Sequence, residues 1–321
     1  MDFSNFCRAA GLIPRDVEPD GRWHRCPTES HPSSRNGAHK LSREGDIGFV
    51  QDWAIHPEPL IWKPDASIQA APIDRAAIER RRAEERRQIA EAIRSARDYF
   101  DACQPLREGH PYLVRKQLDM MGCFGLRTDD AGWLVAPMQL NGGLVSLQRI
   151  SPDGGKLFWS GAPTRGASYT IERRSASLTV LCEGLATGLA IFAAVPIARV
   201  VVAFNAGNLP RVAEALPRRG MVVVAADNDL ATEAKMGVNP GVKAAQEAAA
   251  VLGCGIAVPT GIAGTDWLDY RNEKIAERKD VVRRGRGVSE YSIRKAVDAE
   301  ISAAMLRGAE LLKEADRANA E

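Results

Sequence analysis

Acidic side chains follow two apolar runs in the C-terminal half of the chain. Glu183 follows the run LTVLC at 178–182, and Asp227 and Asp229 follow the run MVVVA at 221–225. Carboxylates that share one site repel each other unless a cation lies between them. Oxygen donors without a nearby histidine or cysteine favour Mg²⁺ or Mn²⁺ over zinc. The pattern predicts metal-dependent phosphoryl-transfer chemistry, whereas a purely structural interpretation has the aspartates capping a turn and Glu183 paired with an arginine.

The elements expected to position these acids are parallel strands that alternate with helices. Apolar runs such as RVVVAF and GIAVP are separated by helical segments such as LATGLAIFAAV and PGVKAAQEAAAVLG. This alternation predicts βαβ units and a parallel sheet with helices on both faces. Ligands of such sheets bind beyond the carboxyl ends of the strands. If the first and third strands are neighbours, as in the common doubly wound order, Glu183, Asp227 and Asp229 converge on one crevice.

Residues 178–270 resemble a Toprim domain, the acid-bearing module of bacterial-type primases, topoisomerases and some nucleases. The segment EGLATG at 183–188 is similar to the EGYATA motif of satellite-phage and conjugative-plasmid primases, with Gly188 in place of the last alanine. The segment AADND at 225–229 is similar to their DxD motif, with Asn228 where glycine is common. The resemblance continues through NPG and DWLD, which begin at Asn239 and Asp266, and it extends more loosely to residues 1–172.

This resemblance implies a DNA primase, encoded by a phage, a plasmid or another mobile element. Such an enzyme makes short RNA primers from ribonucleoside triphosphates on a single-stranded DNA template, with Mg²⁺ or Mn²⁺ as cofactor. Glu183 would be the general acid or base, or a metal ligand through water. Asp227 and Asp229 would hold the metal, and Asp269 would add a carboxylate. Because no GxxxxGK[ST] loop is present, a separate replicative helicase is an expected partner.

Two alternative functions remain open at this stage. A Toprim nuclease would use the same acids with water as the nucleophile and would cleave DNA without triphosphates. A non-catalytic replication or transfer accessory protein would only bind single-stranded DNA, and its binding would survive the loss of the acids.

Basic and aromatic residues that precede the parallel sheet predict a nucleic-acid surface. Arg149, Lys156 and Arg165 lie in glycine-punctuated runs, and Trp159 lies between them. In the primases that this chain resembles, the equivalent region lines the template groove. A base stacked on Trp159 would contribute about 1–3 kcal/mol. The alternative is an ordinary hairpin with solvated basic residues and with Trp159 in a core.

Histidines near the N-terminus suggest zinc, but their spacing does not support it. His24, Cys26, His31 and His39 supply one cysteine where a zinc ribbon needs two CxxC pairs. We therefore expect no zinc in this segment, which we interpret as a metal-free, degenerate zinc-ribbon-like module.

The composition limits the classes of protein that fit. The chain has 321 residues, 45% of them hydrophobic, and a formal charge of +2, so any nucleic-acid surface must be local. Six scattered cysteines and the lack of a long apolar segment predict a reduced, cytoplasmic protein with no membrane partner. We predict an α/β fold in five parts. These are a small β-rich module (1–64), a charged connecting helix (65–100), an α+β primase N-subdomain (101–172), a Toprim domain with a Rossmann-like parallel sheet (173–270) and a helical tail (271–321).

Overall fold

A computed structural model describes residues 1–55, 58–64, 75–217, 220–283 and 289–318. Part of the predicted connecting segment (65–74) and parts of the predicted tail (284–288 and 319–321) lie outside the described residues. The chain divides into two compact units, Met1–Arg86 and Arg87–Glu321.

The first unit contains a four-stranded antiparallel sheet and one short helix. Its core is small and includes Phe3, Cys7 and Val50. The indole of Trp62 belongs to this core and donates a hydrogen bond of 2.9 Å to the carbonyl of Met1. In chain order, which is also the order of the strands in the sheet, the elements are α1 (Phe3–Ala9), β1 (His24–Cys26), β2 (Gly37–Leu41), β3 (Gly48–Asp52) and β4 (Leu60–Trp62).

A second antiparallel sheet opens the second unit, and helix α2 packs on one of its faces. Ala96 of α2 shares a buried cluster with Val135 and Leu147 of the sheet. The other face carries Leu134 and Ile150, which join the core of the parallel sheet. The elements are α2 (Arg75–Ala102), β5 (Gln104–Pro105), α3 (Pro111–Arg115), β6 (Arg127–Thr128), β7 (Leu134–Leu140), β8 (Gly143–Ile150) and β9 (Lys156–Phe158).

The third sheet has four parallel strands and one antiparallel edge strand, in the order β10-β12-β11-β13-β14. The first and third parallel strands in chain order, β11 and β13, are direct neighbours, with Cys182 opposite Ala225. Their continuous apolar sequences match strands that are buried on both faces. The edge strand β10 ends at Ile171 and therefore lies in the segment expected to form the preceding subdomain. The strands are β10 (Tyr169–Ile171), β11 (Leu178–Cys182), β12 (Ala198–Val202), β13 (Met221–Ala225) and β14 (Gly255–Ala257).

Helices cover both faces of this parallel sheet. One face packs against α4, α8 and α9, and the other packs against α5 and α7. The segment expected to be a helical tail is part of the core, because Ile293, Val297, Ile301 and Met305 recur at every fourth position of α9 and are buried. The helices are α4 (Leu185–Ala194), α5 (Leu209–Ala215), α6 (Leu230–Met236), α7 (Pro240–Leu252), α8 (Trp267–Arg283) and α9 (Glu290–Ala318). Within the described ranges, none of the helices combines the length and the apolar character needed to cross a membrane.

Candidate active site

Glu183 and Asp227 lie at the carboxyl ends of the neighbouring strands β11 and β13. Glu183 directly follows Cys182, the last residue of β11, and Asp227 lies two residues after the end of β13. Each carboxylate is close enough to other acids for their charges to raise its pKa. The charges that act most strongly on either group include no arginine, so the expected alternative of a Glu183–arginine pair has no support from the electrostatics.

One carboxylate oxygen of Asp227 has no partner within the described part of the chain. Its Oδ1 atom is buried and makes no hydrogen bond with any described residue. Burial, followed by the charges of Glu183 and Asp266, raises the pKa of Asp227 to about 8, although Lys156 acts in the opposite direction. A buried carboxylate oxygen of this kind is unfavourable unless a proton or a cation satisfies it. Glycine at position 241 allows the start of α7 to lie against the backbone of Asp227, since a Cβ atom there would lie 2.5 Å from the carbonyl oxygen of Asp227.

Glu183 accepts a hydrogen bond from a neighbouring turn that a strained residue precedes. Burial is the main cause of its raised pKa, and a hydrogen bond from the backbone of Ala206 and the charge of Lys156 lower it. Ala206 begins a single 3₁₀ turn after β12. Just before that turn, Phe204 is buried and adopts a left-handed φ of 71°. Backbone strain of this kind costs about 1–3 kcal/mol and persists where the surrounding structure enforces it. Here the residue before Phe204 is held by Asn208, whose Nδ2 atom donates a 2.8 Å hydrogen bond to the carbonyl of Ala203.

Asp229 has a different environment, because its carboxylate caps helix α6. One oxygen accepts a hydrogen bond of 3.0 Å from the backbone N–H of Thr232, and the other accepts one of 2.5 Å from the Thr232 hydroxyl. These hydrogen bonds lower the pKa of Asp229. The helix cap expected under the structural interpretation is therefore present at Asp229, while Asp227, two residues earlier, has an oxygen with no partner.

Asn228, which stands where the resembling primases often have glycine, links three loops. Its backbone N–H donates to the carbonyl of Thr265 at 2.6 Å, and its side-chain nitrogen donates to the carbonyl of Pro259 at 2.8 Å. Its side-chain oxygen accepts a 2.9 Å hydrogen bond from Asn239, the residue that caps α7. The asparagine thereby fixes the backbone between Asp227 and Asp229.

Asp266 belongs to the site, although the sequence did not single it out as a site residue. Its Oδ1 atom accepts hydrogen bonds from the backbone N–H groups of Leu268 and Asp269, at 2.8 and 2.9 Å. Its Oδ2 atom accepts a 3.1 Å hydrogen bond from Thr187 of α4. The charge of Asp266 raises the pKa of both Glu183 and Asp227. Its position in the segment DWLD is the signal that could have identified it.

Asp269, the fourth predicted acid, lies at the edge of this group. Three acids raise the pKa of Asp227 through their charges, and Asp269 has a weaker effect than Glu183 and Asp266. One of its carboxylate oxygens accepts a 3.0 Å hydrogen bond from the backbone N–H of Thr265. A Cβ atom on Gly264 would lie 2.3 Å from the Asp269 side chain, so glycine is needed for this approach.

Of the predicted cations, Lys156 lies near the acids, and Arg165 precedes a residue that is hydrogen-bonded at the same edge of the parallel sheet. Lys156 is exposed at the start of β9, and its charge lowers the pKa of both Glu183 and Asp227. The turn that places it is closed by a 2.9 Å hydrogen bond between Ser151 and Gly155. Arg165 is also exposed, and the N–H of the next residue donates a 2.7 Å hydrogen bond to Asn208, which follows β12 at the same edge of the parallel sheet.

Arg149 and Trp159 lie on the opposite face of the second sheet. In the strand register Arg149 is directly opposite Val135, which faces α2, whereas Lys156 is opposite Ile150, which faces the parallel sheet. The guanidinium of Arg149 lies 5.7 Å from the ring of Trp159, within a group of aromatic side chains. The structure therefore does not bring the four predicted nucleic-acid-binding residues into one groove. Trp159 packs against a buried cluster under α2.

The comparisons with known proteins agree with this geometry. Residues 178–277 match the Toprim domain family. Together with the parallel sheet and the acids at its carboxyl edge, this match defines an α/β protein with a Toprim domain. Over an alignment of 311 residues the chain is 27% identical to the DNA primase TraC of Escherichia coli. That alignment covers 87% of this chain and 29% of the relative, so the chain spans less than a third of that protein's length.

Two solved primase structures are also similar to the chain. The primase fragment of the bacteriophage T7 primase-helicase protein is 13% identical, with 82% of this chain and 99% of that chain covered and a TM-score of 0.39. The DnaG primase catalytic domain bound to single-stranded DNA is 14% identical, with 67% and 82% covered and a TM-score of 0.35.

Proposed function

We propose that the protein is a DNA primase that synthesises short RNA primers on single-stranded DNA from ribonucleoside triphosphates. The observation that carries this proposal is the buried, unpartnered oxygen of Asp227, which lies beside Glu183 and Asp266 at the carboxyl edge of a Toprim sheet. The similarity to the DNA primase TraC over most of the chain supports nucleotide polymerisation as the reaction.

The donor set of the site suits Mg²⁺ or Mn²⁺. All the nearby acids offer oxygen, the donor that these hard cations prefer. Mg²⁺ is commonly held by one or two carboxylates, with waters and substrate phosphates completing its coordination. Asp227 and Asp229 are the proposed protein ligands, and Asp269 is a further proposed carboxylate. When bound, the metal would stabilise negative charge on the transferring phosphate and its attacking oxygen.

The remaining side chains have roles in holding protons and phosphates. Glu183, whose pKa burial raises, would accept the proton of the attacking 3′-hydroxyl. The oxygen–phosphorus bond to the α-phosphate then forms while the bond to pyrophosphate breaks. Lys156 would contact the triphosphate, because it lies beside both acids and is exposed. Arg165 would bind a phosphate of the template or of the nucleotide.

The proposed protein partner is a cytoplasmic replicative helicase, and co-purification tests this proposal.

A primer assay with labelled ATP on single-stranded DNA tests this function. We expect short labelled products that require both Mg²⁺ and ribonucleoside triphosphates. DNA cleavage without triphosphates would instead identify a nuclease. Binding of single-stranded DNA that is unchanged in the combined Glu183→Gln and Asp227→Asn variant, with no product from the unaltered protein, would identify an accessory protein.

Replacing Lys156 with methionine should weaken activity and shift its dependence on pH. Because the lysine lowers the pKa of Glu183 and Asp227, its loss lets both pKa values rise, and the acidic limb of the pH–rate profile should move to higher pH. We also expect kcat/KM at neutral pH to fall by about a hundredfold, the lower end of the range for removing one group that stabilises charge in the transition state.

The matched control for Lys156 is Arg174→Gln. It removes one positive charge from an exposed position that is not among the main influences on either acid. A profile that shifts equally in both variants would show that the effect comes from net charge rather than from the position of Lys156.

A further inference from the structure

A buried tyrosine of the second unit has a hydroxyl group without a partner. Tyr112 lies on helix α3, and the residue is only 1% exposed. Its phenolic oxygen makes no hydrogen bond with any residue that the structure describes. A buried hydroxyl of this kind is unfavourable, because it has lost its hydrogen bonds to water and has gained none in exchange. Such a group in a folded protein calls for an explanation.

The charged group that acts on this hydroxyl is Asp266 of the candidate active site. Burial and then the charge of Asp266 raise the pKa of Tyr112 to about 12, while Arg115 acts in the opposite direction. The same aspartate raises the pKa of both Glu183 and Asp227. Tyr112 is therefore a neighbour of the Toprim acids on their Asp266 side, although α3 lies outside the residues that match the Toprim family.

Contacts at both ends of α3 fix the position of this tyrosine. At the start of the helix, His110 accepts a 3.2 Å hydrogen bond from the backbone N–H of Tyr112, and its other ring nitrogen bonds a backbone carbonyl at 3.0 Å. Just after the helix, the carbonyl of Lys116 accepts a 3.3 Å hydrogen bond from Asn272 of α8. Asp266 caps the start of α8. The tyrosine and the aspartate thus belong to two helices that contact each other.

The carboxylate of Asp266 keeps one acceptor position for a further donor. Its Oδ1 atom accepts two backbone N–H groups, whereas its Oδ2 atom accepts one hydrogen bond from a described residue, the hydroxyl of Thr187. A carboxylate oxygen can accept two hydrogen bonds. Because the Tyr112 hydroxyl makes no direct bond to this atom, a water between them would satisfy both groups.

We propose that Tyr112 is a positioning residue of this site, and that its hydroxyl and the Asp266 carboxylate together hold a water of the hydrated divalent cation. Mg²⁺ loses its water ligands reluctantly and keeps several of them in proteins, so groups that orient these waters strengthen its binding. The inference rests on the proposed function and deepens it, because it adds a neutral donor from outside the Toprim sheet. The cost of the unpartnered hydroxyl in the metal-free protein is then a cost of function.

Tyr112→Phe tests this role, because it removes the hydroxyl and keeps the ring. In a chelator, we expect an unfolding temperature equal to or above that of the unaltered protein, since the variant lacks the unpartnered group. With Mg²⁺, we expect the half-saturating concentration to rise by at least about tenfold. The rise should appear in primer synthesis and also in the stabilisation of the fold by Mg²⁺, which does not depend on activity.

The matched control is Tyr169→Phe. Tyr169 is also a buried tyrosine, but its hydroxyl donates a 3.2 Å hydrogen bond to the carbonyl of Gly122 and another to the carbonyl of Phe124. This variant should therefore lower the unfolding temperature in a chelator and leave the dependence on Mg²⁺ unchanged. The two tyrosines are expected to respond in opposite ways to the same substitution.

Asp266→Asn completes the test, because Tyr112 is proposed to act through a water that it shares with this aspartate. Adding Tyr112→Phe to Asp266→Asn should raise the half-saturating Mg²⁺ concentration no further. Additive effects of the two substitutions would overturn the inference. So would an unchanged Mg²⁺ dependence in Tyr112→Phe, an equal change in Tyr169→Phe, or a lower unfolding temperature of Tyr112→Phe in a chelator. If the unaltered protein makes no primers, the proposed function fails, and the stabilisation by Mg²⁺ still decides the role of Tyr112.

Discussion

Asp227→Asn should reduce primer synthesis by about a thousandfold or more, the scale expected when a group that acts only in the transition state is lost. The reason is specific to this carboxylate, which has a buried oxygen without a partner and lies beside two other acids. The amide of asparagine has nearly the same shape but no negative charge to attract a divalent cation. Steady-state primer synthesis at saturating Mg²⁺ measures the effect.

The same substitution should leave the protein folded and change how its stability depends on pH. Burial raises the pKa of Asp227 to about 8, well above the value of about 3.9 in an unfolded chain. The folded state therefore holds this proton more tightly, and the associated stability is complete below about pH 4 and is lost as the pH rises towards 8. Without metal, the unfolding free energy of the unaltered protein should fall over this range, and the fall should be smaller in Asp227→Asn.

Urea denaturation in a chelator, at several pH values between about 5 and 9, measures this difference. Asp130→Asn is the control, because it removes the same charge from an exposed loop position. Mg²⁺ should raise the unfolding temperature of the unaltered protein and of the control but not that of Asp227→Asn. Full activity in Asp227→Asn, or an unchanged response to Mg²⁺, would contradict the proposed metal role.

The placement of the main acids could be predicted because it depends on strong local signals. The runs before Glu183 and Asp227 are continuous and apolar, which predicts buried parallel strands, and parallel strands bring their carboxyl ends to one edge. The common doubly wound strand order then predicts that β11 and β13 are neighbours, and in the structure they pair directly. The segment DWLD marks Asp266 itself, but its contact with Thr187, 79 residues away in the sequence, is encoded by no local pattern.

The face of a residue in an antiparallel hairpin was harder to predict. Arg149 and Lys156 look equivalent in the sequence, since both are basic residues near a glycine-rich turn. The strand register places them on opposite faces, because Arg149 pairs with Leu157 and Lys156 pairs with Ile150. A shift of one residue in that register would exchange the two faces. The turn geometry that fixes the register is a property of the folded hairpin rather than of its composition.

Gly188 is another residue whose structural role the sequence does not show. Glycine stands at position 188 where the resembling motif has alanine, and the sequence alone gives no reason for the difference. In the structure Gly188 lies where α4 crosses the sheet, and a Cβ atom there would lie 2.6 Å from a methyl carbon of Val202. The close approach of helix and strand therefore depends on this glycine.

Asp229→Asn should reduce primer synthesis by about a hundredfold while leaving the helix that Asp229 caps largely intact. The carboxylate caps α6 through two hydrogen bonds from Thr232, and this contact could by itself account for the aspartate. Asparagine caps helices about as well as aspartate does, so the substitution removes the charge and keeps the cap. A large loss of activity with little loss of stability would therefore support a metal-binding role.

The converse variant, Thr232→Val, removes the hydroxyl that donates to Asp229 Oδ2 and keeps both the backbone donor and the charge. We expect it to lower the unfolding free energy only slightly, because the Asp229 carboxylate is exposed to solvent, and to leave primer synthesis close to normal. Denaturation and primer assays on the two variants separate the two roles. If Asp229→Asn retains full activity while Thr232→Val loses it, Asp229 acts by positioning α6, and the proposed metal ligands reduce to Asp227 and Asp269.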